Sequence, residues 1–298
     1  MIRPTRQTTA GRVYLDLRRR ARAEGRGTDE LLVLYVLERF LYRLSISPYR
    51  DRFVLKGGML LAAFDERRPT RDVDLLGLSI TNDAESITAV VTEIAAIDVD
   101  DGVVFRSDQV TARLIREQDV YAAVRVAMPA TVTTAELALK VDVNVGDPVT
   151  PAPVEVTYPA LLDEPFTMVG YPLETVLAEK LVTMIARGDT TTRDRDFADV
   201  WLLTRRHHIG AGPLREAITA TAAYRDVTLV PIGDVLSTLA TDRQRGWGRY
   251  IARTGLDAEV PATLAEVIAD VTAFADPVVG GTIEAAASWE PGAQRWAL

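Results

Sequence analysis

Residues 55–76, LKGGMLLAAFDERRPTRDVDLL, decide how this chain folds and where its chemistry lies. The stretch joins a Gly57-Gly58 turn to a segment that carries Asp72 and Asp74. In an extended segment alternate side chains share a face, so both carboxylates project to one side while the apolar residues between them face the core. Neighbouring carboxylates repel each other, and a hard cation such as Mg2+ relieves the repulsion. The segment therefore predicts a metal-binding strand, with a solvated strand edge as the alternative.

The two glycines supply the second half of the predicted site. Residues 53–55 form a short buried strand by pattern, and Gly57 and Gly58 let the backbone pass close to a ligand where a helix from Met59 to Phe64 begins. Backbone N–H groups at a helix start suit a phosphate, although an ordinary tight turn uses the same residues. A phosphate site opposite a metal-binding pair is what nucleotidyl transfer requires, because metal ions offset the triphosphate charge.

This pattern resembles the first motif of the polymerase-beta-type nucleotidyltransferases. FVLKGGMLL (residues 53–61) followed by RPTRDVDLLG (residues 68–77) closely resembles the AbiEii/AbiGii toxin family. Many members of that family place serine or threonine directly after the second glycine, where this chain has Met59. The resemblance therefore implies that phosphate binding relies on backbone N–H groups, on Lys56 or on more distant side chains.

A third carboxylate is predicted on another strand. ELALKVDVNV, residues 136–145, alternates apolar and polar residues, which places Asp142 on the polar face of a strand. An amphipathic antiparallel strand with one wet face would show the same pattern. The second family motif is a basic residue followed by an acidic one in a strand, and Lys140 and Asp142 match it. The resemblance implies that Asp142 completes a site with Asp72 and Asp74.

The third motif lies in a predicted helix. PLETVLAEKLVTMIARG, residues 172–188, has Pro172 in its first turn, apolar residues at helical spacing and Gly188 at its end. Taken alone, Glu179 and Lys180 are an ordinary surface pair. The resemblance implies that Lys180 contacts the nucleotide phosphates, a role that suits the point charge of lysine.

The fourth motif is TTRDRDFADVW, residues 191–201. Asp196 and Asp199 lie three residues apart and share a helix face, with Arg193 one turn earlier. The pattern resembles a family motif of two aspartates following an arginine. We predict that Asp196 is a catalytic or substrate-orienting carboxylate and that Asp199 holds Arg193 or a neighbouring group. Acidic residues drawn to a helix N-terminus by its dipole are the alternative.

The predicted function follows from the resemblance and has open alternatives. The resemblance implies a toxin-type nucleotidyltransferase that moves an NMP from an NTP to an acceptor hydroxyl, the tRNA 3′ end, and that a separately encoded antitoxin neutralises. The alternatives are a nucleotidyltransferase acting on a protein or a small molecule, and a non-catalytic nucleotide-binding module. The predicted catalytic residues are Asp72, Asp74, Asp142, Lys180 and Asp196. The predicted nucleotide contacts are Lys56, Gly57, Gly58, Arg71, Lys180 and Arg193, and the predicted ligands for Mg2+ or Mn2+ are Asp72, Asp74 and Asp142.

Composition narrows the function class. The chain has no cysteine and only two histidines, the adjacent His207 and His208, which excludes disulfides, a thiolate nucleophile and a HExxH zinc site. The longest apolar run is too short to cross a membrane and no signal-peptide pattern follows the N-terminus, so we expect a cytoplasmic protein without a membrane partner. Net charge is −8, yet residues 1–26 hold eight arginines against Asp16 and Glu24. This segment predicts binding to a phosphate backbone or to an acidic partner. A solvated helix face is the alternative.

The order of patterns predicts an α+β protein. A nucleotidyltransferase-like mixed sheet with flanking helices is followed by an α-helical C-terminal lobe. We predict a nucleotidyltransferase-like α/β domain with N-terminal helices over residues 1–165, and an α-helical domain that completes the active-site cleft over residues 166–298. The predicted helices are 10–24, 28–44, 58–65, 83–96, 172–187, 194–206, 213–223, 231–240, 242–253 and 261–275, and the predicted strands are 53–56, 72–78, 103–106, 121–128, 136–145 and 153–157.

Overall fold

The computed structural model describes residues 4–117 and 121–298. Arg3 of the arginine-rich N-terminal segment lies outside the described residues. The chain divides into two compact units: the first comprises Met1–Gly146 and Val154–Gly170, and the second comprises Asp147–Pro153 and Tyr171–Leu298. In neither described range is there a helix with the length and apolar character needed to span a membrane.

The first unit is a mixed sheet with helices, so the α+β class predicted from the sequence is confirmed. Its helices are α1 (Thr9–Ala23), α2 (Thr28–Ser45), the single turn α3 (Gly57–Leu60) and α4 (Ala84–Ala95). Its strands are β1 (Phe53–Lys56), β2 (Val73–Gly77), β3 (Val103–Phe105), β4 (Thr111–Glu117), β5 (Tyr121–Val132), β6 (Ala135–Val145), β7 (Val154–Tyr158) and β8 (Phe166–Gly170).

The strand order brings the sequence motifs to adjacent strands. The sheet runs β3, β5, β6, β2, β1, β8 and β7, with β4 also paired to β5. The pairs β1/β2 and β5/β6 are antiparallel, while β2/β6 is parallel. Strand β2, which carries Asp74, therefore lies between β1, which leads into the Gly-Gly turn, and β6, which carries Asp142.

Helix α2 provides much of the core of this unit. Its apolar residues recur at helical spacing, and Leu34, Leu37 and Leu41 are each at most 1% exposed. The helix packs against β6. Its polar residues are buried only with partners, because an unpaired buried charge is costly: Arg43 forms an ion pair with Asp101.

The second unit is mainly helical. Its helices are α5 (Leu173–Arg187), α6 (Asp194–Arg206), α7 (Ala211–Tyr224), the single turn α8 (Ile232–Val235), α9 (Leu239–Thr254) and α10 (Leu264–Val279). It also contains a small antiparallel sheet of β9 (Ile209–Gly210), β10 (Ser288–Glu290) and β11 (Arg295–Ala297). Trp289 and Trp296 of this sheet pack around Phe274 of α10, which explains how such short strands are held.

Several sequence expectations about single elements were wrong. The helix predicted over residues 58–65 is one α turn followed by a 3₁₀ segment, Leu61–Phe64, which ends at Asp65 in a left-handed conformation. Strands β4 and β8 were not predicted. Among the described residues β4 pairs with β5 alone and exposes Leu114, so its pattern lacks a buried stripe. The helix predicted over residues 231–240 is broken because Asp189 accepts the N–H groups of Thr238 and Leu239, so that α9 begins there.

Candidate active site

Four charged residues form one row across the sheet of the first unit. Lys56 on β1 is the strand partner of Asp74 on β2, Asp74 is the partner of Asp142 on β6, and Asp142 is the partner of Arg125 on β5. Directly paired strand residues point to the same face of a sheet. A cation therefore lies at each end of the row, and these two charges relieve the repulsion between the central carboxylates of Asp74 and Asp142.

Arg125 joins Asp142 to Asp72. Its Nε donates to Oδ1 of Asp142 at 2.6 Å, and its Nη2 donates to Oδ2 of the same carboxylate. The same Nη2 lies 3.7 Å from Oδ2 of Asp72. The hydrogen bond with Asp142 raises the pKa of Arg125, and the negative charges of Asp142, Asp72 and Asp74 add to that effect. The structure thus brings together Asp72 and Asp74, which the sequence predicted to share a face, and Asp142, which the resemblance implied to complete their site.

The glycines make room for this group of carboxylates. Gly57 has φ +65°, and a Cβ built on it would stand 1.9 Å from Oδ2 of Asp74. A Cβ on Gly58 would stand 2.8 Å from Oγ1 of Thr70, and that hydroxyl donates to Oδ1 of Asp72 at 3.0 Å. Both glycines are therefore needed for the backbone to approach Asp74 on β2 and Asp72 in the loop before β2.

Met59 and two predicted nucleotide contacts, Lys56 and Arg71, have different surroundings. Met59 is 1% exposed and accepts a long contact from the Tyr158 hydroxyl, so its side chain belongs to the core. Arg71 is exposed at the surface. Lys56 is buried at 6% exposure beside its strand partner Asp74.

The aspartate cluster, meaning Asp72, Asp74, Asp142 and Arg125, fits a divalent cation in part. Carboxylate oxygens suit Mg2+ or Mn2+, and Asp72 is one-third exposed and open to solvent. Both oxygens of Asp142, however, are engaged by Arg125. Within residues 4–117 and 121–298 no group of three acidic or histidine side chains is arranged to hold a metal. Asp72 and Asp74 fit the predicted ligand role, whereas Asp142 in this arrangement binds a guanidinium.

A second cluster lies in the second unit. Lys180 Nζ lies 3.2 Å from Oδ1 of Asp196 and 2.6 Å from Oδ2 of Asp199, and Arg193 Nε donates to the other oxygen of Asp196 at 2.5 Å. We call these four residues the lysine cluster. Both aspartates are 2% exposed. Burial raises the pKa of Asp196, but the charges of Lys180 and Arg193 outweigh burial and hold that pKa at about 2.

Further ion pairs surround the lysine cluster. Glu179, the neighbour of Lys180, binds Arg225 at 3.1 Å. Asp194, the first residue of α6, binds Arg243 of α9 at 2.7 Å. The acidic residues of the fourth motif are therefore partners of specific cations, which the dipole of a helix N-terminus would not by itself require.

Sequence reasoning missed Arg125 and Thr70. A signal for Arg125 was available in the sequence. It is the one charged residue in the largely apolar sequence of β5, and it is flanked by the buried residues Val124 and Val126. An isolated charge at a strand position of this kind has a partner on the same sheet face. What the sequence could not supply was the register that pairs Arg125 with Asp142.

Comparison with known proteins identifies the family. The family described as nucleotidyl transferase AbiEii toxin, Type IV TA system, matches residues 39–281. The chain belongs to the AbiEii family. The predicted family is thereby confirmed, and it is a family of nucleotidyl transferase toxins. No curated protein matches it in sequence.

Solved structures confirm the fold of this AbiEii protein. MenT4, nucleotidyltransferase toxin Rv2826c from Mycobacterium tuberculosis H37Rv, is 17% identical with a TM-score of 0.57, over 93% of this chain and 90% of that chain. JHP933 from Helicobacter pylori is 13% identical with a TM-score of 0.53, over 86% of this chain and 94% of that chain. At these identities the likeness concerns the nucleotidyltransferase fold.

Proposed function

We propose that this AbiEii protein transfers an NMP from an NTP to a hydroxyl of an RNA acceptor, the 3′ end of a tRNA. The hydroxyl oxygen forms a bond to the α-phosphorus, the bond between the α- and β-phosphates breaks, and pyrophosphate leaves. The family description, a nucleotidyl transferase toxin, supports the transfer. The same description supports a cognate antitoxin as the partner that neutralises the protein.

The observation that carries this proposal is the convergence of three aspartates beside a glycine turn. Arg125 Nη2 contacts both Asp142 and Asp72, and Gly57 leaves the space that Asp74 occupies. A carboxylate that neighbours an acceptor hydroxyl takes its proton as the new bond forms. We assign that role, or completion of the ligand set, to Asp142, which would exchange one of its two hydrogen bonds with Arg125 for the new partner.

Asp72 and Asp74 would hold Mg2+ or Mn2+, which when bound offsets the triphosphate charge. Gly57 and Gly58 would allow the backbone N–H groups to approach the phosphates, with Lys56 and Arg71 as nearby cations. In the second unit we assign Lys180 and Arg193 to the phosphates and Asp196 to their orientation. The burial of Asp196 supports an orienting role over direct contact with the acceptor.

The test is transfer of label from α-³²P NTPs to total tRNA in the presence of Mg2+ or Mn2+. We expect the wild-type protein to label RNA and Asp72→Ala with Asp74→Ala to lose labelling. Asp51→Ala, an exposed aspartate before β1, is the matched control and should retain it. Equal labelling by the double variant would exclude these residues. Labelling of an added protein or small molecule in preference to tRNA would exclude the RNA acceptor, and tight NTP binding without any transfer would identify a non-catalytic module.

A further inference from the structure

Helix α9 presents three arginines on one face. Arg245, Arg249 and Arg253 are exposed and follow one another at intervals of four residues. Residues four apart are neighbours on a helix, and a rise of about 1.5 Å per residue sets them about 6 Å apart along the axis. We call this row, about 12 Å long by the same rise, the arginine face.

The arginine face lacks acidic partners among the residues that the structure describes. In the described part of the chain, none of its three residues forms an ion pair with a carboxylate. Arg253 lies instead near the ring of Tyr250, 6.0 Å from its centroid. Like charges four residues apart destabilise a helix by a few tenths of a kcal/mol per pair, and the penalty disappears when a polyanion covers them.

The arginine-rich N-terminal segment differs in this respect. Arg6 binds Asp16 at 2.7 Å, and Arg20 binds Glu24 at 2.5 Å. Arg26 also forms an ion pair with Glu24 of this segment, at 3.6 Å. Part of the positive charge that the sequence placed at the N-terminus is therefore paired locally, whereas all three arginines of the arginine face remain available to a partner.

Contacts link helix α9, which carries the arginine face, to the lysine cluster within the second unit. Arg243, two residues before Arg245, binds Asp194 at 2.7 Å. Asp194 adjoins Arg193, which binds Asp196, and Asp196 contacts Lys180. Ion pairs thus connect helix α9, through Arg243, with the residues that adjoin Lys180, the lysine that we assign to the nucleotide phosphates.

We propose that the arginine face binds the phosphodiester backbone of the RNA acceptor. This inference rests on the proposed function, since it assigns a docking surface to the acceptor of that reaction. Guanidinium groups pair with phosphate oxygens in a fork geometry, and a regular row of them suits a regular row of phosphates. A protein partner would need buried apolar anchors. Of the large exposed apolar side chains in the described residues, none lies on α9.

The test compares two triple variants that lose the same charge. R245Q/R249Q/R253Q removes the arginine face, and R12Q/R19Q/R22Q removes three exposed arginines of α1. Binding of 5′-labelled tRNA is measured by fluorescence anisotropy between about 50 and 200 mM salt, with thermal unfolding as the check on folding. We expect the α9 variant to bind about tenfold or more weakly and to lose about two to three units of the log–log salt slope, because each lost phosphate contact removes close to one unit.

The outcomes separate this inference from the proposed function. If the α1 variant and Asp72→Ala with Asp74→Ala bind RNA like the wild type while the α9 variant does not, the arginine face is the docking surface, whether or not label is transferred. If the wild type transfers label and the α9 variant binds RNA equally well, the docking inference is wrong and the transfer stands. If the α9 variant keeps RNA affinity but loses affinity for the purified antitoxin, the face binds an acidic protein and the inference is overturned.

Discussion

The carboxylate of Asp74 occupies the space that a side chain at Gly57 would need. A Cβ at position 57 would stand 1.9 Å from Asp74 Oδ2, and Gly57 itself has φ +65°. Gly57 directly follows Lys56, the last residue of β1, and Lys56 is the antiparallel partner of Asp74 on β2. The glycine turn therefore fixes the position of Asp74, a predicted metal ligand, as well as the path of the backbone.

Substitution of Gly57 should damage both stability and transfer. In G57A the positive φ and the contact with Asp74 act together, and we expect a loss of at least about 2 kcal/mol in unfolding free energy with little remaining activity. G25A is the matched control, because Gly25 has φ +66° and a Cβ at that position would meet nothing within 4 Å. Urea unfolding should show the larger loss in G57A; equal losses would mean that the contact with Asp74 yields easily.

The pair of Arg125 and Asp142 should show strong coupling. We expect R125Q and D142N to be non-additive, with a coupling energy of about 1 to 3 kcal/mol, because the fork-shaped hydrogen bond to a charged group is lost by either change. The measurement is a double-mutant cycle by urea unfolding. The exposed pair Arg206 and Glu259 is the control and should couple by less than about 1 kcal/mol. A coupling as weak as that control would remove Arg125 from the site.

The sequence was sufficient to locate the carboxylates of the candidate site, but it did not identify the residues that pair with them. Alternation alone placed Asp142 on the polar face of a strand, since side-chain period is a local property. Arg125 could not be matched to it, because pairing depends on the register of β5 against β6. Burial of Asp196 was missed for a similar reason: its spacing from Asp199 is local, but its contact with Lys180 joins two helices.

Short elements failed for another reason. Strand β8 and the hairpin β10/β11 have three to five residues per strand, and segments of that length carry too little periodicity to be recognised. The break before α9 depends on the Asp189 side chain, which lies about 50 residues earlier. Long amphipathic elements such as α2 and α5 were predicted within a few residues of their ends because burial repeats several times along them.

Lys180 should be essential for the fold as well as for the reaction. K180M leaves two buried aspartates without a shared cation, and we expect a loss of about 3 to 5 kcal/mol in unfolding free energy. K180R retains the charge and should preserve more stability while transfer still falls, because a guanidinium does not reproduce the compact ammonium. Stability and transfer are measured on the same preparations. Wild-type transfer by K180R would show that a positive charge at position 180 is sufficient and that the compact ammonium is not required.

A divalent cation should stabilise the first unit through Asp72 and Asp74. Ligands that bind only the folded state raise the melting temperature, so Mn2+ at about 100 times its dissociation constant should contribute about 2.7 kcal/mol. D72N/D74N should lose this response, while D51N at an exposed position should retain it. The measurement is thermal unfolding against Mn2+ concentration. An unchanged response in D72N/D74N would place the cation elsewhere.

Asp196 should make stability fall in acid. Its pKa is lowered from 3.8 to about 2 in the folded protein, chiefly by Lys180 and Arg193 against the opposing effect of burial. The folded state therefore binds this proton less readily than the unfolded chain, so the stabilisation is present above pH 4 and is lost as pH falls towards 2. The shift corresponds to about 2 kcal/mol. The difference in unfolding free energy between wild type and D196N should shrink by that amount over this interval, whereas D257N, at an exposed aspartate, should parallel the wild type. A difference that stays constant from pH 5 to about pH 2 would mean that Asp196 does not gain its stability as a carboxylate paired with Lys180 and Arg193.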